Sequence, residues 1–141
     1  MSDLKHKKRI VVKKSNIKNA GLGVFANMFL EKGTFLGYYK GKVYQADNLT
    51  DEELDFLDES AYVMAIYGGK GEDDKITKYV DSSNTNKHVS NWTRYINGAK
   101  YKKDKPNVQF TQKISRMHVE TLRDIEKGEE LIADYGPGYI W

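Results

Sequence analysis

The stretch SNWTRYINGAKYKKDKPNVQF, residues 90–110, decides how the rest of the chain is read. Taken alone, Asn97-Gly98 predicts a hairpin turn, because both residues accept positive φ at little cost. The residues just ahead of it do not fit a plain turn. Trp92, Arg94 and Tyr95 are large, hydrogen-bonding side chains that suit the wall of a binding site. Which reading holds depends on what the rest of the chain brings to Asn97.

The chain has 141 residues, enough for one domain with a real core. Ten tyrosines and an aromatic content of 12% suit a compact globule better than a disordered chain. The absence of cysteine excludes disulfides, zinc–thiolate sites and thiol nucleophiles, and it is compatible with a reducing compartment. No apolar run reaches the roughly 18–20 residues of a membrane span. A soluble, intracellular protein without membrane attachment is expected. The net charge of +3 is unevenly spread, since six of the 23 basic residues precede position 15. Residues 15–141 are net −2, with acids concentrated in DEELDFLDE (51–59). A basic tail over 1–8 and a single domain over 9–141 follow. The acidic stretch favours a basic protein or peptide partner and speeds its encounter.

Local patterns predict many short strands and little helix. IVVKK (10–14) is β-branched, and NAGLGVFA (19–26) passes from glycines into an apolar strand. EKG (31–33) is a turn, and TFLGYYKGKVYQ (34–45) is aromatic with Gly37 and Gly41 inside it. Glycines there point to a bulge or to close backbone approach. One helix is expected after Thr50, whose spacing to Glu53 is that of a capping box, with Leu54 and Leu57 on one face. AYVMAIY (61–67), KYVDSS (78–83), RMHVETL (116–122, period two) and ELIADYG (130–136) read as strands, and DIEKGEE (124–130) as a turn. The fold class is mainly β (α+β).

Single motifs carry little chemistry. GLG at 21–23 is either a tight turn or a backbone that approaches a ligand closely. His6, His88 and His118 are scattered without metal-ligand spacing, so no metal site is expected. No nucleophile elbow, phosphate loop or EF-hand appears. Any chemistry must come from Tyr, Asn, Arg and backbone groups, which orient and desolvate rather than attack.

Taken in order, the motifs resemble the SET domain of protein-lysine methyltransferases over residues 9–141. GLGVFA and EKGTFLGYYKGKV resemble its opening, ESAYVMAIY and KYVDSSNTN its middle, and RYIN, Pro106-Asn107 and KGEELIADYG its most diagnostic motifs. SNWTRYIN is similar to the PR subclass, and the cysteine-free format resembles small stand-alone viral SET proteins. The resemblance implies small curved β-sheets, few short helices, and a C-terminal pseudoknot that brings RYIN and ADYG together across about 37 residues. It also implies methyl transfer from S-adenosyl-L-methionine to the ε-amine of a protein lysine, normally on a histone tail, and hence a chromatin regulator in the nucleus. From the viral type it implies a homodimer.

Carried over residue by residue, the resemblance puts Ala20, Gly21, Leu22 and Gly23 at the methionine part of the cofactor, with Tyr62 in the same cleft. Arg94, Tyr95, Asn97 and Gly98 hold the cofactor, and Tyr139 covers its adenine end. Tyr135 takes the place of the catalytic tyrosine and Tyr39 that of a lysine-channel wall. Ala133, Tyr135 and Trp141 line the substrate channel. Where SET members usually carry a histidine after the Asn, this chain has Gly98, and it has no cysteine-rich segment after the domain. Ala133 stands where many members carry Phe or Tyr, and the smaller side chain implies room for di- or trimethylation.

These residue types suit the chemistry. A lysine amine, with an ordinary pKa near 10.4, must shed a proton before it attacks. An aromatic channel and a neighbouring cation both disfavour the ammonium form. Two other readings stand beside this one. The first is a non-catalytic SET or PR-like module that binds a basic peptide or partner protein. The second is a nucleic-acid binder that uses tyrosines for stacking.

Overall fold

The computed structural model describes residues 9–68, 75–99 and 105–134. The basic tail 1–8 and the expected site residues Tyr135, Tyr139 and Trp141 lie outside them. In chain order the strands are β1 (Ile10–Lys14), β2 (Leu22–Ala26), β3 (Phe35–Tyr38), β4 (Lys42–Gln45), β5 (Val63–Gly68), β6 (Lys75–Asp81), β7 (Asn97–Gly98), β8 (Val108–Lys113), β9 (Arg116–Thr121) and β10 (Ile132–Asp134). Helix α1 spans Asp51–Glu59, and short 3-10 turns cover Ala46–Asn48 and Trp92–Tyr95. The strands form three sheets, ordered β1-β2, β3-β9-β8-β10-β7 and β4-β6-β5. The described residues fall into two compact units, one within the segments Met1–Gly37, Tyr95–Thr111 and Val119–Trp141, the other within Tyr38–Arg94 and Gln112–His118.

In the first unit, β1 and β2 pair antiparallel with Lys14 opposite Leu22 and Ile10 opposite Ala26. Strand β2 is buried from Gly23 to Ala26 because both its edges are covered. On the far side the Leu131 N–H donates to the Val24 carbonyl (2.7 Å), and the Ala26 N–H donates to the Glu129 carbonyl (2.9 Å). That double cover explains the unbroken apolar run VFA, which reads as a central strand rather than an alternating one. Val24, Phe25, Leu30, Val108, Val119, Ile125 and Leu131 are at most 3% exposed and form the core. Each such side chain contributes about 1.5–3 kcal/mol on burial. The two EKG sequences, 31–33 and 126–128, make equivalent turns, with Gly33 and Gly128 at φ 81° and 96°. Nothing crowds a Cβ at either glycine, so the backbone angle alone selects the residue.

Strand β10 lies between β7 and β8 and runs parallel to both, with Ala133 opposite Gly98 on one side and Val108 on the other. It therefore inserts between the two strands that bound the 99–107 loop, which is the pseudoknot arrangement. Asn97-Gly98 is consequently a short strand and not a hairpin turn. Neither residue has positive φ; among the described residues that conformation belongs to Asn19, Gly21, Gly33, Ile114 and Gly128. Parallel pairing with a distant segment overrides the local turn preference.

The stretch TFLGYYKGKVYQ divides into β3 and β4 rather than forming one strand. Gly41 stands at the break, where a Cβ would collide with the backbone carbonyl of Asp81 on β6. This is the close approach expected of a glycine in a strand pattern. Strand β6 starts at Lys75, three residues ahead of the expected KYVDSS. Helix α1 has its full capping box: the Glu53 N–H donates to Thr50 Oγ1 (3.2 Å), and the Thr50 N–H donates to Glu53 Oε1 (3.0 Å). Leu57 is buried on its inner face while Phe56 is 72% exposed. Strand β9 is real, but its period-two pattern is not kept, because His118 and Val119 are both buried. Strand β8 carries no clear alternation in sequence and was not foreseen.

Candidate functional site

The expected site residues form two clusters, one in each unit. The first is organised by Asn97. Its Nδ2 donates to the Leu22 carbonyl (3.1 Å) and to Glu130 Oε2 (3.2 Å). The turn Ala20–Gly23 is thereby tied to β7 by a side chain 75 positions away. Gly21 is exposed at φ 74°, and Leu22 is 46% exposed, so backbone and an apolar side chain of this turn face outward. Gly98 and Tyr95 are half-buried, and Ala20 is intermediate. Ala133 exposes no surface, held between Gly98 and Val108.

Glu130 was missed as a site residue by sequence reasoning, which read it only as the junction of the turn 124–130 and the strand 130–136. Its carboxylate is a hub: it accepts from the Ser15 hydroxyl (2.6 Å), the Asn16 N–H (2.9 Å) and Asn97. Glu130 is 9% exposed and Ser15 8%, so these bonds are shielded from water and charge-assisted. Gly23 makes room for this carboxylate, since a Cβ there would overlap Glu130 Oε2. Gly23 is therefore a glycine for a packing reason. Ser15 and Asn16 sit more than a hundred positions from Glu130, and no local signal announces them.

Asn107 plays the matching part on the other flank of β10. Its N–H donates to the Ile132 carbonyl (2.9 Å), its Oδ1 accepts from the Ile132 N–H (2.8 Å), and its Nδ2 donates to the Glu130 carbonyl (2.9 Å). Its side chain replaces the next residue of a strand and holds β10 in register. The Pro106-Asn107 pair was the one sequence signal for it.

The second cluster lies in the second unit. Tyr39 is buried, and its hydroxyl donates to the Tyr62 carbonyl (2.7 Å). Burial pushes the Tyr39 hydroxyl well above the usual tyrosine range, although its contact with Ser82 and the nearby Arg94 charge act in the opposite direction. It is a neutral donor under physiological conditions. Arg94 lies over the Tyr62 ring (4.4 Å) and donates from Nε to the Ser82 carbonyl (2.8 Å). Tyr62 is 38% exposed, so its ring is presented partly to solvent. Ser82, fully buried, ties this cluster together: its N–H donates to the Tyr62 carbonyl (2.9 Å) and its hydroxyl to the Lys40 carbonyl (2.7 Å). Among the described residues no group of three or more His, Cys, Asp or Glu is placed to hold a metal. No described helix is long and apolar enough to cross a membrane.

Comparison with known proteins places the chain in a family. Residues 10–140 match the family described as PR domain zinc finger protein 2, PR domain. The chain is 32% identical over 128 residues to histone-lysine N-methyltransferase set-17 of Caenorhabditis elegans, covering 91% of this chain and 41% of that protein. It is 28% identical over 117 residues to PR domain zinc finger protein 14 of Mus musculus, covering 83% and 18%. It thus spans less than half the length of these curated relatives. Among solved structures, the methyltransferase domain of human PR domain-containing protein 2 superposes with a TM-score of 0.67 at 21% identity, over 92% of this chain and 78% of that one. The Chaetomium thermophilum polycomb repressive complex 2, in an autoinhibited conformation bound to S-adenosylmethionine, gives 0.61 at 25% identity, over 92% and 15%. The ATXR5 SET domain in complex with histone H3 di-methylated on R26 gives 0.68 at 23%, over 94% and 59%. With nearly its whole length matched, its strand β10 inserted between β7 and β8, and its Asn97 and Asn107 anchoring that insertion, the chain belongs to the PR/SET domain family.

Proposed function

We propose that this chain transfers a methyl group from S-adenosyl-L-methionine to the ε-amine of a protein lysine, on a histone tail. The observation that carries the reading is the Asn97 node. Asn97 fixes the exposed turn Ala20–Gly23 through the Leu22 carbonyl, while its own Oδ1 has no partner among the described residues. A fixed amide oxygen beside outward-facing backbone and an exposed Leu22 fits a ligand that joins an ammonium group to an apolar chain, as the methionine part of the cofactor does. By the family resemblance, Ala20, Gly21, Leu22, Gly23, Tyr62, Arg94, Tyr95, Asn97, Gly98 and Tyr139 are the residues assigned to hold it.

When bound, this cofactor supplies a methyl group on a cationic sulfonium, already a strong electrophile. The chain's own task is to present the lysine amine neutral and in line. Tyr135 is assigned to orient the amine, and Tyr39 to wall the channel. A neutral Tyr39 hydroxyl suits that role, because a phenolate would stabilise the ammonium form and keep the nucleophile protonated. Ala133 and Trp141 complete the assigned channel. The small side chain at 133 supports di- or trimethylation, which Ala133→Phe is expected to restrict to monomethylation. The acids of α1 support a basic substrate, which agrees with a chromatin setting, and a homodimer is the assembly expected from the viral resemblance.

The test is a mass-detected methylation assay on histone peptides with S-adenosyl-L-methionine. Wild type is expected to add methyl groups to lysine, and Tyr135→Phe and Asn97→Ala to lose at least tenfold in kcat/KM. Peptide binding without any methyl transfer, together with no cofactor binding by calorimetry, would favour the non-catalytic module instead.

A further inference from the structure

The second unit carries a basic groove that borders Tyr39, the residue assigned to the channel wall. Two cavities, about 400 and 530 Å³, adjoin and share Lys40 and Gly41. Lys78 and Arg116 line the first and Lys42 the second, so with Lys40 four permanent cations border the two neighbouring cavities. The opposing charge is a single carboxylate, Asp81, whose Oδ1 already accepts the Ser83 N–H (2.9 Å). None of the four cations forms an ion pair among the described residues. The remaining polar lining, including Ser83, Asn84, Asn91 and Ser115, is of the kinds that contact phosphate oxygens and sugars.

We infer that this groove binds the phosphate backbone of duplex DNA. Four unpaired cations in a chain whose residues 15–141 are net negative concentrate positive potential in one place. The tyrosines decide between duplex and single strand. Arg116 lies on the Tyr38 ring (3.4 Å), Lys42 lies over the Tyr44 ring (4.9 Å), and Tyr39 is buried. Each of the two outer rings carries a cation on one face, which leaves at most the opposite face for an unpaired base. The same contacts hold the two cations over the groove before a ligand arrives, which lowers the ordering cost of binding. The groove also has a defined end. Tyr44 borders a further cavity of about 230 Å³ against Glu52 and Glu53 of α1, whose carboxylates repel a polyanion. Basic groove and acidic helix would then divide the labour: one takes the nucleic acid, the other faces a basic peptide. The inference is independent of methyl transfer and can fail or stand without it.

The experiment is fluorescence anisotropy of the full chain with a 20-base-pair duplex across a salt series. Four phosphate contacts predict a slope of log K against log salt of about −3.6, or about 150-fold weaker binding at 200 mM than at 50 mM salt. Lys40→Ala, Lys42→Ala, Lys78→Ala and Arg116→Ala are each expected to flatten the slope by about 0.9, with about eightfold loss of affinity at 0.1 M salt. Arg116→Lys should keep the slope, which separates lost charge from lost packing, and circular dichroism checks that each variant folds. The N-terminal basic tail is controlled by the triple variant Lys5→Ala/Lys7→Ala/Lys8→Ala. Binding lost in the tail variant but unchanged in all four groove variants would overturn the inference. So would tighter binding to single-stranded than to duplex DNA, or groove variants that leave the slope unaltered.

Discussion

Replacing Gly23 by alanine tests whether the Glu130 hub, rather than cofactor contact, dictates that glycine. The backbone at Gly23 is not left-handed, so alanine is conformationally allowed there. Its Cβ, however, would overlap Glu130 Oε2 and stand 3.1 Å from both Glu130 Cδ and the Ser15 Cβ. A free glutamate would swing aside at little cost. This one is held by the Ser15 hydroxyl, the Asn16 N–H and Asn97. Hydrogen bonds to a charged group contribute about 1.5–3 kcal/mol each, so losing one or two costs about 2–4 kcal/mol. The stiffer unfolded chain of the alanine variant offsets about 0.4–1 kcal/mol of that. The expected net loss is about 2–3 kcal/mol, read as a lower urea midpoint at unchanged m value. Glu130→Ala alone should cost about 3 kcal/mol, because it strands buried donors. In that background Gly23→Ala should cost under about 1 kcal/mol, for only the Ser15 Cβ contact remains. The double-mutant cycle therefore predicts a coupling of about 2 kcal/mol. Additive effects in the cycle, or a Gly23→Ala protein as stable as wild type that merely loses cofactor affinity, would refute the reasoning.

Four further outcomes can be checked. Gly41→Ala places a Cβ against the immovable Asp81 backbone and should destabilise by about 3 kcal/mol in the same urea assay. Tyr39 and Tyr79 both titrate above the ordinary value near 10, each chiefly through burial. Their folded-state pKa values exceed the unfolded ones, so this contribution is complete below about pH 10 and declines as pH rises beyond it. A thermal-melt series to high pH should show that decline, shallower in Tyr39→Phe. Thr50→Ala removes one half of the capping box and should lower stability by about 1 kcal/mol, seen in chemical denaturation. Asn97→Ala releases the Leu22 carbonyl, and calorimetry should find cofactor affinity reduced at least tenfold, with Asn97→Asp failing to restore it because the donor is gone.

The regular elements were largely legible because their causes are local. A capping box needs three consecutive peptide units and two side chains, and Thr50 with Glu53 supplies them. The EKG turns need a glycine that accepts positive φ, and both have one. β1, β2 and β5 announce themselves by β-branched and apolar runs. Strand β8 and the two-residue β7 do not: β8 is held between β9 and β10, and β7 pairs only with β10 in its sheet. The same dependence turned Asn97-Gly98 from an expected hairpin into a strand. Gly41 was read from sequence as a bulge or a close approach; that it is a close approach, and to Asp81, was not legible.

The sequence by itself determined the family, because ordered motifs survive as residue types whatever their surroundings: GLG, RYIN, the Pro106-Asn107 pair and ELIADYG are each readable in one dimension. It also led to the expectation that the chemistry rests on Tyr, Asn, Arg and backbone groups. Only the tertiary structure decided how Asn97 is used, why Gly23 is a glycine, and that Glu130 is a hub and not a turn residue. It alone gathered Lys40, Lys42, Lys78 and Arg116 around one groove. The physical reason is common to all of these. Hydrogen-bond partners, steric neighbours and summed charge are properties of distance in space, and here the deciding distances join residues as many as 115 positions apart in the chain.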